Sequence, residues 1–152
     1  MKLSSSAFAA GDMIPVRLTC DGENLSPPLE WDEIPGGTKS FVLLCEDPDA
    51  PTGLWRHWAA YDLPADRRRL AEGADGQATQ LGFRRGRNDF HQIGYGGPCP
   101  PRDHGVHRYR FRILALSTDR LPVSARPSCQ QVEDAARDHV LAEAELVGLY
   151  ER

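Results

Sequence analysis

The stretch RYRFRILAL, residues 108–116, alternates arginine with apolar side chains in its first half. Successive side chains of an extended chain point to opposite faces, so this alternation predicts a β-strand with one buried and one solvent-facing surface. The buried face of the predicted strand carries four side chains, Tyr109, Phe111, Ile113 and Ala115.

Two further apolar runs precede this strand and are bounded by turn-forming residues. Residues 40–45, SFVLLC, lie between Gly37 and Pro48, and residues 58–63, WAAYDL, end before Pro64. Short apolar runs bounded by glycine and proline are typical of buried strands. We therefore predict strands over both runs.

The C-terminal part of the chain contains the clearest helix signal. Ser128 followed three residues later by Gln131 is the capping-box pattern that opens a helix, and apolar residues then recur at helical spacing. Residues 142–146, AEAEL, switch to a period of two, which predicts a strand. Continuation of the helix is the alternative, because Ala, Glu and Leu favour helices.

Residues 66–94 show little periodicity and are rich in arginine, glycine and aspartate. We interpret them as a long excursion with a short strand near Gln80–Phe83. Such a long loop is unusual in a compact domain and is often functional.

Length and turn content together indicate the fold class. The chain has 152 residues with twelve prolines and fourteen glycines, which predicts one domain, residues 1–152, with many turns and few long helices. Short strands separated by turn signals, with one helix near the end, predict a mostly β sandwich.

Charge and hydropathy argue against several classes of protein. The net charge of −4 lacks the basic excess of nucleic-acid-binding proteins, and no apolar run is long enough to cross a membrane or to serve as a signal peptide. We therefore predict a cytoplasmic protein. Its cysteines, Cys20, Cys45, Cys99 and Cys129, are then expected to be reduced thiols, with a disulfide as the alternative.

Asp47-Pro48-Asp49-Ala50-Pro51 is the first segment whose residues could bind a ligand or take part in catalysis. The prolines favour extended backbone, so we expect Asp47 and Asp49 to share a face, and the Ala50–Pro51 bond is a candidate cis bond. Strand alternation places His57 on the face opposite Trp58, at a pocket rim. The alternative is that the aspartates cap a turn and that His57 packs in the core.

The second segment, residues 97–109, combines a proline-rich loop with a strand start. Cys99 carries the only backbone N–H between Pro98 and Pro101, and a single amide on a rigid loop is a suitable anion ligand. His107 and Tyr109 lie two residues apart on the predicted strand and therefore share a face. A purely structural role for both side chains is the alternative.

Metal binding and hydrolysis are the alternatives to anion binding for these residues. The candidate metal ligands are Asp47, Asp49, His57, Asp103, His104 and His107. Dedicated metal sites hold their ligands on regular secondary structure with supporting hydrogen bonds, which this pattern lacks, so we predict no metal and no other cofactor.

A hydrolase would use His57 or His107 as base or Cys99 as nucleophile, since histidines and an anion pocket lower a thiol pKa. No Gly-x-Ser-x-Gly elbow is present.

Several ordered motifs resemble one known family. They are DGEN at 21–24, SPPL at 26–29, DPDAP at 47–51, HW at 57–58, PCPP at 98–101 and HRY at 107–109. With this spacing, the chain resembles the phosphatidylethanolamine-binding proteins, also called Raf kinase inhibitor proteins, and especially their compact bacterial members. The resemblance implies an antiparallel β-sandwich around a large central sheet, with few short helices.

The resemblance also implies a pocket for phosphate or a phosphoethanolamine-like headgroup. Asp47 would receive the amine, His57 and Tyr109 would contact the phosphate, and His107 would support the wall. The full predicted ligand-binding set is Asp47, Asp49, Pro51, Trp55, His57, Cys99, Pro100, Pro101, His107 and Tyr109.

We expect a non-enzymatic protein, with no catalytic residues, that binds a small anionic or phosphorylated ligand. One alternative is a regulatory protein that docks a kinase or protease, and another is the hydrolase described above. Bacterial relatives imply a homodimer as a further expectation.

Overall fold

Two antiparallel sheets and one helix form three layers in the computed structural model, which describes all residues from Met1 to Arg152. The strands are β1 (Lys2–Ser4), β2 (Leu29–Asp32), β3 (Ser40–Asp47), β4 (Trp55–Pro64), β5 (Arg69–Leu70), β6 (Arg84–Arg85), β7 (His107–Leu116) and β8 (Val140–Tyr150). The α-helices are α1 (Ala78–Leu81) and α2 (Cys129–Ala136), and 3-10 turns occupy Val16–Leu18, Ala74–Gln77 and Arg137–His139.

The larger sheet has the strand order β6-β4-β3-β7-β8, and the smaller has the order β1-β2-β5. The main core lies between the two sheets and includes Trp31 from the small sheet and Phe41 and Phe111 from the large one. A second cluster on the opposite face of the large sheet includes Val132 of α2. The predicted mostly β sandwich around a large central sheet is confirmed.

β3 lies in the middle of the large sheet, and this position explains its sequence. All eight of its residues are buried, because one face packs on the main core and the other on the α2 cluster. A strand covered on both faces needs apolar side chains throughout, so residues 40–45 show a continuous apolar run. The predicted strand extends to Asp47.

β7 and β8 pair along their whole length and follow the predicted alternation. Tyr109 and Phe111 are fully buried, whereas Arg110 and Arg112 face outwards and form ion pairs with glutamates, including Glu145 of β8. Residues 142–146 lie in β8, so the strand prediction for that segment is confirmed and the helix alternative is wrong.

The excursion over residues 66–94 differs from its prediction in local structure. The expected strand near Gln80–Phe83 is wrong, because that segment contains the end of α1 and its C-terminal turn. Gly82 takes φ +79° and its N–H caps the carbonyl of Ala78, a conformation that glycine adopts without strain. A short strand, β6, follows at Arg84–Arg85 and pairs with β4.

The capping box at Ser128 is confirmed in both directions. The Ser128 hydroxyl accepts from the Gln131 N–H at 3.1 Å, and the Gln131 side chain accepts from the Ser128 N–H at 2.9 Å. None of the helices is both long enough and apolar enough to span a lipid bilayer.

Replacing Ser128 by alanine should lower the free energy of unfolding by about 1 kcal/mol, because the Gln131 N–H at the start of α2 loses the hydroxyl that caps it. Chemical denaturation measures the change. Ser124→Ala, at an exposed position before the helix, is the matched control and should leave stability unaltered. Equal midpoints for the two variants would contradict the stabilising role of the cap.

Candidate functional site

The two proline-rich segments converge on one pocket of about 230 Å³ at an end of the large sheet. β3 and β4 contribute one side, and the proline loop with the start of β7 contributes the other. The lining residues are Asp47, Ala50, Pro51, Thr52, Trp55, His57, Phe90, Cys99, Pro100, Pro101, His107 and Tyr109. Nine of the ten predicted residues therefore line one hollow, and Asp49 does not.

A β-bulge in β4 directs His57 into this pocket. Cys45 pairs with Trp58 and Glu46 with Arg56, so His57 is an extra residue opposite β3. Strict alternation would have put His57 on the face opposite Trp58, and that prediction is wrong because the bulge resets the alternation. The bulge brings the imidazole against Tyr109, with the ring centroids 5.3 Å apart.

The buried His57 side chain has a fixed tautomer. Its Nδ1 lies 2.6 Å from the carbonyl oxygen of Gly96, which can only accept, so Nδ1 carries the proton. Nε2 then remains for another partner. Burial lowers the pKa of His57 below its ordinary value, with the Gly96 carbonyl and the Asp47 charge opposing the shift.

Two further donors in the pocket wall have no partner within the protein. They are the Tyr109 hydroxyl and the Trp55 indole nitrogen, both buried. Burial, the nearby Asp47 charge and the closeness of the hydroxyl to the Asp47 side chain raise the pKa of Tyr109, so its hydroxyl keeps its proton, but the two groups do not meet in hydrogen-bond geometry. The backbone N–H of Cys99 also makes no hydrogen bond to the protein. Donors that line a pocket without a partner in the protein are available to an acceptor that enters it.

Asp47 is the buried carboxylate of the pocket and is held on both oxygens. Oδ2 accepts from His107 Nδ1 at 2.7 Å, and Oδ1 accepts from the Asp49 N–H at 2.7 Å. His107 is itself buried, and its Nε2 lies 2.6 Å from Nδ1 of His104, a residue exposed outside the pocket. His107 lies in the pocket wall and holds the Asp47 carboxylate there.

Asp49 points away from the pocket, so its predicted place in the site is wrong. The chain turns after Asp47 instead of staying extended, and the Asp49 N–H closes that turn on the Asp47 side chain. The Asp49 carboxylate forms a bidentate pair with Arg108, whose hydrogen bonds lower the pKa of Asp49 to about 2. No peptide bond is cis, so the Ala50–Pro51 bond is trans.

A disulfide joins Cys20 to Cys99, across 79 residues of sequence, and corrects the expectation of four reduced thiols. The bond removes the free Cys99 thiolate that the cysteine hydrolase requires. Cys45 and Cys129 are free but buried, and burial raises the pKa of the Cys129 thiol to about 12. Because disulfides persist in oxidising compartments, the cysteines give the cytoplasmic prediction no support.

Sequence reasoning missed three lining residues, Ala50, Thr52 and Phe90. The Phe90 ring packs edge-on against both Trp55 and His57, at 5.5 and 5.3 Å. Phe90 lies in the 66–94 excursion, whose length was a functional signal although no pattern singled out this residue. Its side chain is part-exposed and forms the pocket rim.

Other concave regions and clusters lack this chemistry. No three His, Cys, Asp or Glu side chains meet in a geometry suited to a metal ion. A larger hollow of about 600 Å³ lies between the small sheet and β8, and charged groups of both signs line it, including Arg69 and Glu145. The smaller pocket therefore holds the convergent polar groups that mark a binding site.

The sequence matches the family described as phosphatidylethanolamine-binding protein over residues 4–151. The chain belongs to the phosphatidylethanolamine-binding protein family. The recognition made from the motifs is thereby confirmed, and the family match covers both segments of the pocket.

Relatives and solved structures agree with this membership. A UPF0098 protein of Aquifex aeolicus is 45% identical, covering 100% of this chain and 89% of its own length. YbhB of Escherichia coli is 40% identical over 99% of both chains. The crystal structure of E. coli YbcL, described as a new member of the mammalian PEBP family, has a TM-score of 0.93 at 34% identity, covering 99% of this chain and 98% of YbcL.

Removing the disulfide by Cys20→Ser together with Cys99→Ser should lower the free energy of unfolding by about 3 kcal/mol, because the unfolded chain loses a long covalent loop. Chemical denaturation measures the loss. Wild-type protein in a dithiol reductant should reach the same midpoint as the variant. An unchanged midpoint in both samples would show that the bond does not stabilise the fold.

Proposed function

We propose that this protein binds a small anionic or phosphorylated ligand, of the size of a phosphoethanolamine headgroup, in the pocket of about 230 Å³ at the end of the large sheet. The observation that carries the proposal is the set of unpartnered donors around one hollow: the Tyr109 hydroxyl, the Trp55 indole N–H and the Cys99 amide. An anion would accept from all three, and its contacts with Tyr109 and Trp55 would relieve the cost of burying those two donors unpaired.

His57 supports a charge-assisted contact as well. Its Nδ1 proton is committed to Gly96, so Nε2 can donate to an anion only when the imidazole is protonated. Burial disfavours that charged form in the empty pocket. Anion binding is therefore expected to take up a proton at His57.

Asp47 favours a ligand that also carries a positive charge. Its carboxylate is buried in the same wall, and a bare anion would lie close to its negative charge. A primary amine two carbons away from a phosphate would instead offset that charge. The volume of about 230 Å³ suits such a headgroup, since pockets for drug-sized ligands begin at roughly 300 Å³.

A binding role is favoured over catalysis in this pocket. The His57 side chain bonds to a carbonyl oxygen, and no hydroxyl or thiol is hydrogen-bonded to it. Cys99 is engaged in the disulfide. Docking of a kinase or protease, the other alternative, gains no specific support from the geometry.

Affinity for the phosphate dianion should increase as the pH falls from 8 to 5, because protonated His57 donates from Nε2 and its free-state pKa lies below about 6.5. The sign follows from burial: the pKa is lowered in the ligand-free protein and raised again by the bound anion. NMR titrations with inorganic phosphate at several pH values, with the dianion concentration used at each pH, measure the trend. His57→Gln should flatten it, and equal wild-type affinity at all pH values would argue against a His57 contact.

Tyr109→Phe should weaken phosphate binding about tenfold, because one hydrogen bond to a charged ligand is lost while the ring keeps its packing. The same NMR titration measures the dissociation constant. Tyr61→Phe is the control, since Tyr61 is equally buried but lies in the α2 cluster on the other face of the sheet. Similar affinities for both variants would show that the Tyr109 hydroxyl does not contact the bound anion.

A further inference from the structure

A chain of three side chains connects the pocket to solvent. The Asp47 carboxylate accepts from His107 Nδ1 at 2.7 Å, and His107 Nε2 lies 2.6 Å from His104 Nδ1. Asp47 and His107 are 3% and 1% exposed, whereas His104 is exposed on the loop outside the pocket. Both nitrogens of His107 are thus used within this chain.

The loop is shaped to bring His104 back onto His107. Asp103 and Gly105, on either side of His104, take positive φ angles of 62° and 93°. The first is unusual for a residue with a side chain, and the second is a conformation that favours glycine. The Asp103 N–H also bonds to the carbonyl of Arg152, which fixes the turn.

We propose that His104 is the solvent end of a proton relay that sets the charge of the Asp47–His107 pair when an anion enters the pocket. The inference rests on the proposed function, because it names how that same site is regulated. His104 touches no ligand and acts through His107, so it is a positioning residue.

The proton path follows from the donors and acceptors. With Asp47 ionised and both imidazoles neutral, His104 Nδ1–H donates to His107 Nε2, and His107 Nδ1–H donates to Asp47. A proton from water binds His104 Nε2, the Nδ1 proton moves to His107 Nε2, and the His107 Nδ1 proton shifts towards Asp47. The net charge of the three side chains changes from −1 to 0 without opening the pocket.

This uptake matters because Asp47 would otherwise repel a bare anion across the pocket. Two protons are then bound with the anion, one at His57 and one in the relay. A ligand that carries its own amine neutralises Asp47 directly, so it should need only the proton at His57. The relay thereby allows one pocket to accept both kinds of ligand, with different pH dependences.

Apart from His57, the charged groups around the relay are of types that do not ordinarily change charge between pH 5 and 8. Asp49 stays ionised beside Arg108, with its pKa lowered to about 2, and the raised pKa of Tyr109 keeps its hydroxyl neutral. The remaining groups on the facing elements are His57 of β4, Arg108 of β7, Asp103 of the loop, and Tyr150 of β8 with Asp21 and Arg152 beside it. Only histidines among these ordinarily change charge between pH 5 and 8.

The test measures protons taken up per ligand, using probes that do not titrate in this range. Methyl sulfate is the bare anion, and 2-aminoethyl hydrogen sulfate is the matched zwitterion. NMR titrations from pH 5 to 8 give the slope of log association constant against pH, which equals minus the number of protons bound. For the wild type, we expect a limiting slope of about −2 with methyl sulfate and about −1 with the zwitterion.

His104→Asn keeps a side-chain N–H donor against His107 Nε2, which holds that nitrogen in its accepting form and so disfavours the proton that the wild type takes up there. It should reduce the methyl sulfate slope to about −1 and leave the zwitterion slope unaltered. A merely structural role for His104 would weaken binding equally at every pH and leave both slopes unchanged. His91→Asn is the control, because His91 is exposed, lies outside the pocket and takes a φ of 64° that asparagine tolerates.

Two outcomes separate this inference from the proposed function. Equal slopes for wild type and His104→Asn would overturn the relay while leaving anion binding intact. Absence of binding by either probe at any pH would overturn the proposed function, and the relay is then decided in the ligand-free protein. There, side-chain ¹⁵N NMR should show His104 and His107 titrating together, and an unchanged His107 titration in His104→Asn would overturn it.

Discussion

The buried hydrogen bond between Asp47 and His107 holds the functional end of the molecule together. Asp47 is the last residue of β3, and His107 is the first of β7, so the bond joins neighbouring strands where each meets a proline-containing loop. Removing one partner of such a buried pair leaves a charged or polar group without compensation, at a cost of about 3–5 kcal/mol. The hydrogen bond that builds the pocket wall therefore also stabilises this end of the large sheet.

The geometry of the opposite wall depends on one inserted residue. His57 exists on the pocket side only because β4 is one residue longer than β3 at that point. The same bulge lets the Gly96 N–H bond to the His57 carbonyl, while the Gly96 carbonyl receives His57 Nδ1. The proline loop is thus anchored to β4 through both polar groups of Gly96, and His57 has its tautomer set by the same contact.

Sequence periodicity predicted the strands well because burial follows the period of the backbone. The alternating residues of β7 and the uniformly apolar β3 have patterns that come directly from covering one face or both. The site was predicted where its residues lie on strands or within the proline segments. The prediction was wrong at Asp49, because the hydrogen bond from the Asp49 N–H to the Asp47 side chain turns the chain at a point where the proline preferences favour extended backbone.

Features that depend on distant contacts left no local pattern in the sequence. The bulge at His57, the packing of Phe90 on the pocket rim and the return of His104 to His107 each arise from tertiary geometry. The Cys20–Cys99 bond belongs to the same class, since the two residues are 79 positions apart. Two hydrogen bonds join the same segments, from the Cys20 N–H to the Pro98 carbonyl and from the Gly97 N–H to the Asn24 side chain.

The disulfide gives the pocket a rigid floor on which the donors can remain unpaired. Pro98, Pro100 and Pro101 cannot adjust their backbone to satisfy neighbouring groups, and Cys99 between them is tied covalently to the segment after the first 3-10 turn. A flexible loop would collapse onto the Tyr109 hydroxyl or the Trp55 indole and satisfy them internally. Stiffness therefore preserves the buried donors for a ligand, which is the advantage of a preorganised site.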